Sequence, residues 1–194
     1  MGNRVEIHPF MPYLPLGAKV LMLGTFPPKV ERWSMDFFYP NWINDMWRIM
    51  GTVFYNDKNR FVDEKNKCFL LEDIQDFLTK IGVGIYDTGY KVRRLKDNAS
   101  DKFLEIVEPV NLMAIIDLCP TIESIVTTGE KAAMVISEIT ASKLPKMGEK
   151  VVVEYGGKTI CHYRMPSTSR AYPMNLNKKS EYYATMFREN NIRL

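Results

Sequence analysis

Four short stretches hold side chains suited to gripping, stacking on or hydrolysing a flat polar ligand. The first is Gly24-Thr25-Phe26-Pro27-Pro28. Here a glycine permits a turn or a close backbone approach, and two prolines end the strand and forbid a helix, which leaves a rigid loop. The second is Phe37-Phe38-Tyr39-Pro40-Asn41-Trp42, with Asn44 just beyond it. Phe37 and Phe38 read first as core residues, whereas Tyr39 joins a ring face to a polar tip and suits a half-exposed stacking platform. Asn44 either caps the helix that carries Trp47 or turns its amide toward water or ligand. The third is Asp87, which closes Val83-Gly84-Ile85-Tyr86. Its carboxylate can bond its own backbone in a turn, accept hydrogen bonds from ring N–H groups, or donate one if burial raises its pKa. The fourth is Met165-Pro166-Ser167-Thr168-Ser169-Arg170. Small hydroxyl residues with free N–H groups after a proline suit a phosphate, and Arg170 can enter a groove, although Pro-Ser also makes ordinary turns. Lys91, Arg93, Arg94 and Lys96 form the most basic cluster, either a solvated loop or a set of phosphate contacts.

These stretches need a frame that brings them together. Val20-Leu21-Met22-Leu23 lacks alternation and reads as a strand buried on both faces. Further strands are expected near Val83, Ile122 and Ile160, and Gly156-Gly157 marks a two-residue hairpin before the last. Between them the residue patterns predict helices over 44–51 (stopped by Gly51), 72–82, 100–107 (capped by Ser100), 109–118, 130–139 and 178–190. Residues 6–17 hold three prolines and read as an extended lead-in to the first strand, and 55–67 as a polar surface excursion. Strands alternating with helices define an α/β chain of three layers, α/β/α, around a central, mostly parallel four-stranded sheet. The four stretches then all follow strand carboxyl ends, where open α/β sheets bind ligands.

At this level the chain resembles the uracil-DNA glycosylase superfamily, in particular the branch of hypoxanthine-DNA and mismatch-specific glycosylases. The resemblance rests on Gly24-Thr25-Phe26-Pro27, Tyr39, Asn44 three places before Trp47, and Met165-Pro166-Ser167-Thr168-Ser169. It spans residues 20–171, with Gly84 to Thr88 and Thr128 to Ala133 fitting in order. It implies a uracil-DNA glycosylase-like fold and excision of a deaminated or mismatched base flipped out of DNA. Gly24, Thr25, Phe26, Pro27 and Tyr39 would then bind the base. Asn44 and Asp87 would be the catalytic residues, and Ser167, Thr168, Ser169, Arg170, Arg93 and Arg94 would bind DNA. Two positions depart from the superfamily pattern. Phe26 stands where water-activating members carry Asp or Asn, and Met165 where many carry His or Asn. Phenylalanine cannot orient water, so Asn44 or Asp87 must do so, or the base must leave dissociatively with help from the DNA phosphates.

Composition sets the outer bounds. The 194 residues, read as one domain, suffice for a substantial core, and 46% hydrophobic with 25% charged residues is ordinary globular usage. A net charge of +3 permits a polyanionic partner without requiring one. Cys68, Cys119 and Cys161 lack any close pairing and are expected as small core residues; His8 and His162, the two histidines, are too dispersed for a metal site. No metal or cofactor is expected. Without a signal-peptide pattern or a membrane-spanning run, the expectation is a cytoplasmic monomer whose partner is damaged DNA and that engages no membrane. Two further readings stay open: a member that binds damaged DNA without excision, and a small-molecule hydrolase on the same sheet.

Overall fold

Three strands buried at every position decide the architecture. A computed structural model describes residues 4–95 and 103–194. In chain order the elements are β1 (Val5–Ile7), β2 (Val20–Gly24), α1 (Met46–Tyr55), β3 (Val62–Asp63), β4 (Cys68–Phe69), α2 (Leu71–Ile81), β5 (Val83–Asp87) and β6 (Gly89–Arg94). Then follow β7 (Leu104–Pro109), α3 (Leu112–Leu118), β8 (Ser124–Thr128), α4 (Glu130–Ile139), β9 (Lys150–Tyr155), β10 (Lys158–Met165) and α5 (Leu176–Glu189). Strands β2, β5 and β8 have no exposed residue, so apolar layers must cover both faces of the sheet. Each of Leu21, Met22 and Leu23, fully buried, contributes about 1.5–3 kcal/mol of transfer free energy.

The central sheet runs β5-β2-β8-β10-β9. Its first four strands are mutually parallel, and β9 joins antiparallel through the Gly156-Gly157 turn, whose φ values of 59° and 74° only glycine adopts easily. The sheet therefore has five strands rather than four: the hairpin partner, itself legible in the sequence, extends the parallel set. This is the α/β/α arrangement with a mostly parallel sheet that the strand and helix alternation predicts. No described helix is long and apolar enough to cross a membrane.

A second sheet, β1-β6-β7, grows from the end of β5. Residues 104–109 form its outer strand and not the end of a helix, because Leu104-Glu105-Ile106-Val107-Glu108 sets acids opposite the basic strand. Lys91 pairs with Glu108 at 2.6 Å and Arg93 with Glu105 at 2.7 Å. Lys96 and Ser100 lie outside the described residues. The lead-in pairs through β1 with β6 and bridges the edge strand β5 at Tyr13–Ile85, so it covers that edge instead of serving the first strand. Helix α1 passes through Gly51 to Tyr55 and ends at left-handed Asn56; Gly51 is there because a Cβ would lie 2.3 Å from the Asp57 carbonyl. Part of the 55–67 excursion is core, since Phe61 and Val62 are buried beside the β3–β4 ribbon. Of the cysteines only Cys119 is buried.

His162 on β10 is wholly buried. Thr127 donates to the Tyr163 carbonyl, so the 3.1 Å contact from His162 Nε2 is an N–H donated to Thr127 Oγ1, and Nδ1 has no partner among the described residues. Burial pushes the imidazole down to about 4 from its usual 6.5. The unfolded chain therefore binds a proton that the fold rejects, and stability present above about pH 6.5 is lost as the pH falls toward 4. Urea titrations at both ends of that window should show a loss of about 3 kcal/mol in the wild type that His162→Gln lacks.

Candidate active site

Four neighbouring strand ends lay out the candidate site. Asp87 ends β5, Gly24 ends β2, Thr128 ends β8 and Met165 ends β10, so the loops that follow open on one side of the sheet. Together they line a cleft of about 530 Å³, large enough for a small planar ligand. Gly24, Thr25, Phe26, Pro27, Tyr39, Asn44 and Asp87 all face it, as do Ser167, Thr168, Ser169 and Arg170. Two segments more than a hundred residues apart thus meet around one pocket. Three strand spacings, roughly 14 Å, separate the Asp87 end from the Ser167 end.

Gly24 is bare for a reason. A Cβ there would lie 2.3 Å from Asp87 Oδ1 and 2.9 Å from Tyr39 Oη, so the glycine lets both polar groups come up against the strand. Gly24→Ala is accordingly expected to cost about 1–3 kcal/mol by overpacking. Thermal unfolding would measure that cost, and ligand discrimination at the Asp87 end should be lost while the far loop stays intact.

Tyr39 adopts φ 51°, a conformation that costs a bulky residue about 1–2 kcal/mol. That turn swings the half-buried ring away from Phe37 and Phe38, which are core residues, and brings Tyr39 Oη 2.7 Å from Thr128 Oγ1. Strain of this kind clusters at ligand sites.

Asn44 sits just ahead of α1. Its Oδ1 accepts from the Met46 N–H at 2.8 Å, which makes a local turn ahead of the helix rather than the cap read from the sequence, while Nδ2 has no partner among the described residues and the residue lines the cleft. The helix N-cap itself is Asp45, whose carboxylate makes no cap hydrogen bond. It turns instead to Lys179 Nζ at 2.9 Å and to Arg170 at 3.2 Å. Lys179 also donates to the Ser169 carbonyl, and the Asp45 N–H donates to the Thr168 carbonyl. This buried knot ties the 167–170 loop to α1 and α5. Within the loop Ser167 Oγ accepts from the Ser169 N–H and Ser169 Oγ from the Ala171 N–H, which fixes a tight path around the open end of the cleft.

Asp87 is buried, and the reason is a residue read only as an unsuitable metal ligand. His8 Nε2 lies 2.9 Å from Asp87 Oδ2, and the His8 side chain is fully enclosed. Burial pushes the Asp87 carboxyl up from its usual value, and the His8 hydrogen bond and charge pull it partly back. Phe26, in the first loop, turns its ring edge-on to His8 at 5.3 Å and carries the Arg94 guanidinium 5.5 Å from its centroid. Arg94 is a brace: it pairs with Glu6 and donates to the Pro27 carbonyl, holding the first loop in place. Arg93 lies off the cleft, paired with Glu105. The sequence reading missed Asp45, Lys179, His8 and the rim cation Arg32, which lines the cleft from a turn at Val30–Arg32. Only Asp45, beside Asn44, offered any local signal.

No protein-family model matches this chain, and no curated protein does. Among solved structures it is similar to a solution NMR structure from Methanosarcina acetivorans named "putative Uracil DNA glycosylase", with a TM-score of 0.60 and 18% identity over 98% of this chain and 99% of that one. That likeness establishes the fold: the chain shares the α/β architecture of that structure over 98% of its length.

Proposed function

We propose that the chain is a monofunctional DNA glycosylase of base-excision repair, which hydrolyses the N-glycosidic bond of a deaminated or mismatched base, uracil and hypoxanthine among them, flipped from DNA. The observation that carries this reading is the layout of the cleft. A stacking ring and a base-reading carboxyl stand by the β5, β2 and β8 ends and a phosphate-sized loop follows the β10 end, all on one cleft. The NMR neighbour's name supports the same class.

In this reading the flipped nucleotide lies along the strand ends. Its phosphate meets Ser167, Thr168, Ser169 and Arg170, with Arg32 at the rim, while its base stacks on Tyr39, a contact worth about 1–3 kcal/mol. Asp87 reads the base edge beside Gly24. Asn44 stands on the loop side, where the sugar falls, and its free amide holds the attacking water. Phe26 contributes no proton transfer, so bond breaking is dissociative: the base leaves with the bonding pair as an anion, water adds to the cationic sugar carbon, and the proton that water sheds goes to the departed base. The flip costs a few kcal/mol, least at a mispair, which favours damaged positions.

A second reading has its own observation. Phe26 fills the place where an acid would activate water, which also suits a protein that captures extruded bases without cutting. Incubating the purified protein with duplexes holding deoxyuridine, deoxyinosine or mismatched thymidine separates the two. Free base and an alkali-labile site are expected; tight, salt-sensitive binding with no base release would select the capture reading, and neither would end both.

A further inference from the structure

The His8–Asp87 pair has a property that neither residue has alone. His8 Nδ1 lies 3.0 Å from the Phe10 carbonyl and 3.1 Å from the Phe10 N–H, so one backbone residue offers it both an acceptor and a donor. With Asp87 ionised and His8 neutral, Nε2–H donates to Oδ2 and Nδ1 accepts from the Phe10 N–H. With one more proton on the imidazole, Nδ1–H donates to the Phe10 carbonyl. With that proton on the carboxyl, Oδ2–H donates to Nε2 and Nδ1–H still donates to Phe10. Each of these three states is fully hydrogen-bonded, and in each the shared proton lies on the Oδ2 side. Oδ1, against bare Gly24, stays unprotonated.

We infer that His8 is a positioning residue that keeps Asp87 Oδ1 a permanent hydrogen-bond acceptor, so the site selects bases that present an N–H on the edge it reads. This rests on the proposed function, and it refines one point of it: a carboxyl whose pKa is raised could have served as a proton donor to the base, but here its proton is directed away from the cleft. The ring N–H of uracil or hypoxanthine fits such an acceptor; a bare ring nitrogen would meet oxygen lone pairs and be rejected. The setting supports the assignment. Phe26, Phe38 and Tyr86 surround the imidazole at 5.3, 6.0 and 4.5 Å between ring centroids, and Phe10 closes the cage at 6.0 Å. Phe26, which stands where water-activating members of the resembled superfamily carry Asp or Asn, thus serves as an edge-on wall over the imidazole, while Asp87 keeps its place on the cleft. The ionisable groups facing the pair are few. Tyr86, from β5, has its hydroxyl pushed up to about 12 by burial and stays neutral; Tyr39 bonds Thr128; and Arg94 lies beyond Phe26, paired with Glu6.

The test compares wild type, His8→Gln and His8→Phe. Gln retains an N–H for Oδ2 but does not titrate; Phe fits the aromatic cage and leaves Oδ2 without a donor. Binding and single-turnover release are followed on deoxyuridine and deoxyinosine duplexes from about pH 5.5 to 8, the range in which an unperturbed histidine changes charge. Wild type and His8→Gln should give flat profiles. His8→Phe should lose tenfold or more as the pH falls, because Asp87 can then carry its proton on Oδ1. In the free proteins, the Asp87 carboxyl carbon resonance should be nearly the same in wild type and His8→Gln and displaced in His8→Phe. The same resonance in all three, or identical profiles for the Gln and Phe variants, would overturn the inference. If no duplex is bound or cut, the proposed function fails while the carboxyl resonance still decides the pair.

Discussion

Asp45→Ala should cost about 3–5 kcal/mol of folding stability, the largest effect of any single polar substitution near the cleft. The side chain of Lys179 is fully buried, and Asp45 is the only carboxylate it contacts among the described residues. Removing Asp45 strands a buried ammonium with the Ser169 carbonyl as its one remaining hydrogen-bond partner among the described residues, the Tyr172 ring lying 6.0 Å away, and frees Arg170 and the Thr168–Ser169 turn. Lys179→Met is the informative control. It removes the charge that needs compensation and leaves Asp45 paired with Arg170 and bonded through its backbone to Thr168, so its cost should be clearly smaller. Urea denaturation of both variants decides this. Equal losses would mean that packing, and not the ion pair, holds the loop.

The second large effect is kinetic. Asn44→Ala should slow single-turnover base release by about 10²-fold, the scale of a misplaced reacting group, with duplex affinity little changed. Tyr39→Ala should do the opposite. It should weaken binding of the damaged duplex by about 1–3 kcal/mol, five- to 150-fold, with a smaller change in the rate of the bound complex. Because Tyr39 holds φ 51°, Tyr39→Gly loses the same ring while relieving the backbone, and should bind as poorly as Ala while unfolding at a higher temperature. Duplex titrations and quenched-flow release, run in parallel, separate the two roles.

The parallel sheet was legible because its strands are short unbroken apolar runs that end in glycine or polar residues. The same feature told which ends would carry loops, so Gly24, Asp87 and Ser167 could be expected to converge. Helix limits were less legible where tertiary contacts override local signals. Gly51 looks like a stop but accommodates the Asp57 carbonyl, and residues 104–109 lose a helical assignment to cross-strand pairing with Lys91 and Arg93. The two buried hydrogen-bonded pairs were invisible. Asp45 meets Lys179 across 134 positions, and Asp87 meets His8 across 79, and no local pattern encodes either distance. Arg94 shows the same limit from the other side, since its place in a basic cluster suggested phosphate, whereas Glu6 and Pro27 occupy it.

In the proposed function one cleft across four strand ends receives an extruded nucleotide, base toward Asp87 and phosphate toward Ser167. Amide NMR of the protein titrated with a duplex carrying a non-hydrolysable 2′-fluoro deoxyuridine tests it most directly. The strongest shifts are expected at Gly24, Thr25, Tyr39, Thr88 and Ser167 to Arg170, with an undamaged duplex perturbing only the 167–170 loop and Arg32. Shifts centred elsewhere, as in the groove between Leu16 and Ile192, or identical shifts with the undamaged duplex, would contradict it.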